Sequence, residues 1–243
     1  MPPASFARLD AGGERTAREW LAEVEPRERA DRPFVFANFV STLDGRAAIA
    51  GSTKALGERP DLEMLLELRC LPDAVLVGAG TIRAERYGRL VRSEERRAYR
   101  AARGLAPDPL AVTISRGLDL PWDTGLFADP AQPVLVYTGV EGPAPVETAR
   151  VDSLPAALAD LRARGVRTLL CEGGPHLFGS LVADGLVDEL FLTLAPVLTG
   201  ETHAPRVIEG GDLPQHARAE LRWILGVGGE VFLRYGLRIA SRP

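Results

Sequence analysis

From Pro33 onward, short apolar runs alternate with segments whose apolar positions return every three or four residues. Phe34–Val40, Ala74–Val77, Leu110–Ile114, Pro133–Thr138 and Val166–Cys171 read as buried strands. Between them lie helical patterns. Leu62–Leu68 places Leu62, Leu65 and Leu66 on one face. Two others open on a serine cap and stop at a glycine: Ser93 to Arg103 before Gly104, and Ser153 to Arg164 before Gly165. Pro175–Ala183 aligns Leu177, Phe178, Leu181 and Val182, with Gly185 at its end. This alternation predicts an α/β protein whose central sheet is mostly parallel and flanked by helices.

The tail breaks the rhythm. Val187–Pro196 and Val231–Ile239 are strands with no clear helix between them. Gly226–Gly229 reads as a hairpin turn joining Leu221–Leu225 to Val231–Tyr235, which gives the sheet an antiparallel C-terminal edge. At the other end, Glu14–Glu25 aligns Ala17, Trp20, Leu21 and Val24 as an amphipathic helix. The chain is therefore expected to consist of an N-terminal helical extension (1–31) and a single domain (32–243).

Composition narrows the function by exclusion. A net charge of −4, with 26% charged residues, gives nucleic acid and anionic membranes no basic surface to meet. No apolar run approaches the roughly 20 residues of a membrane span, and the first residues lack a signal-peptide core, so a cytoplasmic protein is expected. Cys70 and Cys171 both sit among apolar neighbours and read as buried, reduced thiols. With His176, His203 and His216 they form no metal-ligand spacing, and no metal is expected.

Chemistry is suggested where strands end. One glycine-rich turn, Gly78-Ala79-Gly80-Thr81, follows the Ala74–Val77 strand, and another, Glu172-Gly173-Gly174-Pro175, follows Val166–Cys171. In α/β sheets ligands bind at the carboxyl ends of strands, and backbone N–H groups at a helix start can hold a phosphate without a lysine. Neither turn matches the six-residue dinucleotide fingerprint or a P-loop. Glu172 adds a carboxylate beside its turn. Asn38, Ser41 and Thr42 put polar groups at the end of the first strand, before the Asp44-Gly45 turn, where Asp44 either bonds its own backbone or faces a ligand. Arg69, at the end of its helix, serves either a phosphate or the helix dipole. Arginines at 83, 86, 89, 92, 96, 97, 100 and 103 follow the first glycine turn, mostly as a solvated face.

Taken together, Ser41-Thr42-Leu43-Asp44-Gly45, the run from Leu68 to Thr81, the run from Leu169 to Val182 and the run from Val187 to Gly200 resemble the reductase domain of riboflavin biosynthesis. The likeness spans residues 33–240. It implies a dihydrofolate-reductase-like fold and NADPH-dependent reduction of 5-amino-6-(5-phosphoribosylamino)uracil to its ribitylamino product. It lacks the zinc deaminase signature that accompanies this domain in bifunctional enzymes. By this resemblance Ser41, Ala55, Gly78, Gly80, Thr81 and Glu85 meet NADPH. Gly173 and Gly174, with Pro175, His176, Leu177, Phe178 and Gly179, form its pyrophosphate turn and helix start. Asn38, Thr53, Arg69, Arg89 and Glu172 fall at substrate positions, Arg69 toward the 5′-phosphate. Glu172 and Asp44 are the expected catalytic pair, Glu172 at the imine. The likeness also implies a homodimer through the apolar C-terminal strands. Two departures stand out: Asn38 replaces the family's frequent lysine, and Tyr87 replaces the proline of its T-V-x-x-D-x-P segment. Pteridine reduction on the same fold, and NADPH binding without turnover, are the alternative readings.

Overall fold

The computed structural model describes residues 2–210, 213 and 216–238. The chain forms two compact units, one from residues 1–26, 35–67 and 175–243, the other from residues 27–34 and 68–174.

The first unit opens with strands β1 (Ser5–Arg8) and β2 (Glu14–Thr16), then helix α1 (Ala17–Leu21), strand β3 (Phe34–Thr42) and helix α2 (Arg59–Leu68). The expected Glu14–Glu25 helix is therefore shorter than its apolar period suggests. Thr16 stops it from starting earlier: its side chain accepts from the Glu19 backbone while the Glu19 carboxylate reaches back to Thr16 N, a capping box. Residues before this cap pair instead with β1, which in turn pairs with the C-terminal hairpin. Trp20 fixes the corner, its indole donating to Phe6 O at 3.0 Å.

In the second unit come β4 (Ala74–Leu76), α3 (Ala79–Glu85), α4 (Glu94–Ala102), β5 (Leu110–Ile114), α5 (Gly125–Ala128), β6 (Val134–Thr138), β7 (Glu147–Arg150), α6 (Leu154–Ala163) and β8 (Thr168–Cys171). Its strands run β8-β4-β5-β6-β7, all parallel. The Ser93 and Ser153 caps are formed, each hydroxyl accepting from the backbone three residues on. The polar edge strand β7 reads Glu-Thr-Ala-Arg and carries no apolar alternation from which it could be foreseen.

The chain then returns to the first unit with α7 (Pro175–Ala183), β9 (Glu189–Ala195), β10 (Arg218–Val227) and β11 (Glu230–Arg238). Here β3 lies parallel to β9, while β9, β11, β10, β1 and β2 are joined antiparallel. The hairpin falls where its glycines predict, with Leu225 opposite Phe232; Ile239, expected in the last strand, lies outside the described residues.

Strands β9 and β11 bury every second residue. Inward, Phe191 meets Phe36 and Trp223 edge-on at 6.0 and 5.8 Å. Outward, Leu190, Leu192 and Leu194 lie opposite Tyr235, Leu233 and Val231, a half-exposed apolar face. One charge pair sits on the inner side: Arg234 grips Glu189 through Nε and Nη2, both at 2.9 Å, with side chains only 9% and 10% exposed. Neither ion can be left without the other in such surroundings. Arg234→Met should therefore lower unfolding free energy by about 3–5 kcal/mol in urea titrations. Adding Glu189→Met should restore most of that loss, because it removes the stranded carboxylate.

Candidate functional site

In the second unit, parallel pairing of β4 with β8 is held by one carboxylate. Asp73 accepts from Arg167 N, Thr168 N and Thr168 Oγ1 at 2.8–3.0 Å, and Asp73 N donates to Thr168 O. This sets Leu76 beside Cys171, so both strands end at the same level. The segments that follow them are Gly78-Ala79 and Glu172-Gly173-Gly174. Their backbones nearly touch: Gly78 N donates to Gly173 O at 2.6 Å. A Cβ at Gly78 would lie 2.5 Å from Gly174 N and 2.9 Å from Gly173 O, so only glycine allows the approach. The expected Gly-Ala-Gly-Thr turn is the first turn of α3, whose start Gly78 caps without a side chain. Thr81 points back, its Oγ1 lying 3.0 Å from the place a Cβ of Gly174 would take.

Beside this glycine cradle stands a cluster of three polar side chains. Arg69 meets Glu172 bidentately, Nε to Oε1 at 2.6 Å and Nη2 to Oε2 at 2.7 Å. Tyr87 donates its phenol to Oε2 at 3.0 Å, and its ring centroid lies 5.4 Å from the Arg69 guanidinium. Glu172 is nearly dry, its side chain 2% exposed, and Arg69 is 12% exposed. Burial alone would lower the Arg69 pKa, but the Glu172 charge and hydrogen bonds outweigh it and push it up. Burial, and then the Glu172 charge, push the Tyr87 phenol up as well, so it stays protonated. Next to the carboxylate, burial pushes the Cys171 thiol up to about 12, which leaves it an inert packing group.

Arg69 is itself held from behind. The fully buried Arg100 of α4 donates from Nη1 to the carbonyls of Arg69 and Pro72 at 2.9 and 2.8 Å, and from Nε to Ala106 O at 2.9 Å. Arg69 Nη1 donates to Leu90 O at 3.2 Å. Three of the five guanidinium N–H groups are thus engaged. Arg89, the other arginine expected at substrate, grips Asp108 at 2.8 and 2.5 Å. Glu85 is half-buried in the last turn of α3 and Gly80 is exposed.

Expected site residues of the first unit have different surroundings. Asn38 is half-buried on β3, opposite Phe191 of β9. Ser41 donates to Thr42 O, and Thr42 donates to Asp44 Oδ1 at 2.6 Å while accepting from Arg46 N. Asp44 also accepts from Gly200 N at 2.9 Å, and its carboxyl is held down at about 2, chiefly by the Thr42 hydroxyl and then by Gly200 N–H. These groups close the turn after β3 and bind it to residues 199–200. Thr53 and Ala55 are exposed in the loop before α2. Along α7, Phe178 packs on Phe39 at 4.6 Å, and a Cβ on Gly179 would meet Glu209 O at 2.3 Å. His176 is exposed, and Pro175 and Leu177 are half-buried.

Arg69 and Glu172, named from separate motifs, are therefore in contact, as are the two glycine turns. In the sequence Tyr87 stands out only as a departure from a pattern, although an aromatic hydroxyl just past the Gly-Ala-Gly-Thr helix is the signal that marks it. Among the described residues no group of His, Cys, Asp and Glu is arranged to hold a metal ion, and no helix is long and apolar enough to cross a membrane.

Comparison with known proteins shows the family and the fold. Residues 33–232 match the model of the RibD C-terminal domain. The 2,5-diamino-6-ribosylamino-4(3H)-pyrimidinone 5′-phosphate reductase of Archaeoglobus fulgidus is 30% identical over 219 residues, covering 84% of this chain and 99% of that protein. Its namesake in Methanothermobacter thermautotrophicus is 28% identical, covering 85% and 99%. Among solved structures, a pyrimidine reductase-like protein from Corynebacterium diphtheriae superposes with a TM-score of 0.80 at 24% identity, over 93% of this chain and all of that one. That likeness carries the fold, the dihydrofolate-reductase-like α/β arrangement expected from the sequence. With a family match over most of its length and close-length reductase relatives, this chain belongs to the RibD C-terminal domain family.

Proposed function

We propose that the protein is an NADPH-dependent reductase of a ribosylaminopyrimidine 5′-phosphate, converting its ribosyl group into a ribityl chain. The observation that carries this reading is the dry Glu172 carboxylate, clamped by Arg69 and Tyr87 directly beside a cradle of bare backbone. Gly78 lets the two turns pack backbone against backbone, which gathers N–H groups at one strand edge, the kind of place where a pyrophosphate is held without a lysine. NADPH, when bound, supplies the hydride.

The protein's part is electrostatic. When the ribosylamine opens, its nitrogen gains positive character as C1′ becomes the electrophile. A carboxylate kept ready in a water-poor place favours that charge more strongly than water does. Glu172 is such a group, and we assign it the contact with the ribosylamine nitrogen. Arg69 offers its remaining guanidinium edge to the 5′-phosphate, with its backbone pinned by Arg100. Arg89, engaged with Asp108, is a weaker substrate candidate. Asp44, expected from the sequence as the second catalytic residue, closes the turn after β3.

The uracil expected from the sequence differs from the diaminopyrimidinone in the names of the archaeal relatives only by a carbonyl in place of an amine at C2. Both share the ribosylamine and phosphate on which this reading rests. A homodimer in the cytoplasm completes the proposal, with Leu190, Leu192, Leu194, Val231, Leu233 and Tyr235 as the apolar face a two-fold partner covers.

Glu172→Gln should lower kcat about 10- to 100-fold, the value of a hydrogen bond to a charged group, with NADPH affinity near wild type. Steady-state loss of reduced-nicotinamide absorbance with each pyrimidine measures this. No turnover of either pyrimidine by the unaltered protein defeats the assignment. Gly78→Ala should lower unfolding free energy by about 1–3 kcal/mol in urea titrations, since its Cβ would lie 2.5 Å from Gly174 N. Leu192→Glu with Leu233→Glu should halve the mass measured by light scattering.

A further inference from the structure

Glu172 has two oxygens that the surrounding groups treat differently. A carboxylate offers about four acceptor positions, two on each oxygen. Oε1 accepts once, from Arg69 Nε. Oε2 accepts twice, from Arg69 Nη2 and from the Tyr87 phenol. Without the phenol, the two oxygens would be equivalent toward any incoming donor, each holding one arginine N–H. With it, Oε1 alone retains an open position among the contacts of the described residues.

We infer that Tyr87 is a positioning residue for the reduction: by filling Oε2 of Glu172 it makes Oε1 the single oxygen that meets the substrate nitrogen. This rests on the role given to Glu172 above. Local structure supports it. Arg86, the C-cap of α3, is left-handed (φ 48°, ψ 60°) and reverses the chain just before Tyr87. Leu126 N donates to Tyr87 O at 3.0 Å, so the backbone is held from α5 as well. The ring lies against the Arg69 guanidinium, restricting side-chain rotation. The phenol remains a hydrogen-bond donor because burial keeps it protonated.

Tyr87→Phe tests the inference because it keeps the ring and its stacking on Arg69 but removes the donor. Turnover should fall about tenfold, as expected for one hydrogen bond to a charged acceptor, while the KM for NADPH stays at the wild-type value and the thermal midpoint falls only by the loss of that one bond. In the Glu172→Gln background the same substitution should cost nothing further, because a residue acting only through Glu172 has nothing left to orient. Full activity of Tyr87→Phe, when Glu172→Gln is slow, overturns the role of Tyr87 and leaves the proposed function standing. An additive loss in the double variant also overturns it, by showing that Tyr87 acts independently. Full activity of Glu172→Gln removes both the catalytic reading of Glu172 and the inference built on it.

Discussion

A buried ion pair is an obligation before it is an asset. Taking a guanidinium and a carboxylate out of water costs several kcal/mol for each ion, and only close, well-directed contacts offset that cost. Arg69 and Glu172 lie 103 positions apart in the chain and meet at 2.6–2.7 Å. Much of the second unit can be understood as what this contact demands. Asp73 ties β4 to β8, so that the segment carrying Glu172 has one register. Arg100 ties down the carbonyls on either side of Cys70, so that Arg69 starts from a fixed point. Tyr87 supplies the remaining hydrogen bond. Loss of either ion would leave the other in a dry place with nowhere to go.

The glycine cradle follows the opposite principle. Its value lies in what is missing, since two backbones approach until an N–H reaches a carbonyl at 2.6 Å. The charged cluster and the bare backbone are neighbours because Glu172 and Gly173 are consecutive. One strand end therefore carries both a directed anion and a close backbone contact that only glycine allows.

Local pattern was enough to reveal much of this. Apolar runs announced the strands, serine caps and terminal glycines bounded the helices, and the Gly226–Gly229 hairpin appeared where it was expected. Glu172 and the glycine turns were legible because two such turns at strand ends, one beside an acid, point to a ligand where a single one does not. Partners were not legible. Nothing near Arg89 in sequence points to Asp108, and nothing in the arginine-rich α4 singles out Arg100 as the one that is wholly buried. Those facts are set by which elements pack together. β1 and β2 escaped for a related reason: three or four residues pair because a hairpin edge is offered to them, and such short stretches have no period of their own. The glycine motif after β4 likewise disguised a helix, since Gly80 weakens local helical preference and packing decides the matter.

Arg86 shows how a position can be constrained by backbone alone. Its side chain reaches outward to Asp123, an exposed pair of little energetic weight. Its main chain, however, holds the left-handed turn on which the aim of the following phenol depends. Across variants of this sequence, position 86 should therefore be permissive in charge and selective in shape. Glycine or asparagine fits there readily, and valine or isoleucine does not. A substitution that looks harmless by charge would then turn the residue next to it away from the carboxylate, altering the site without touching any group in it.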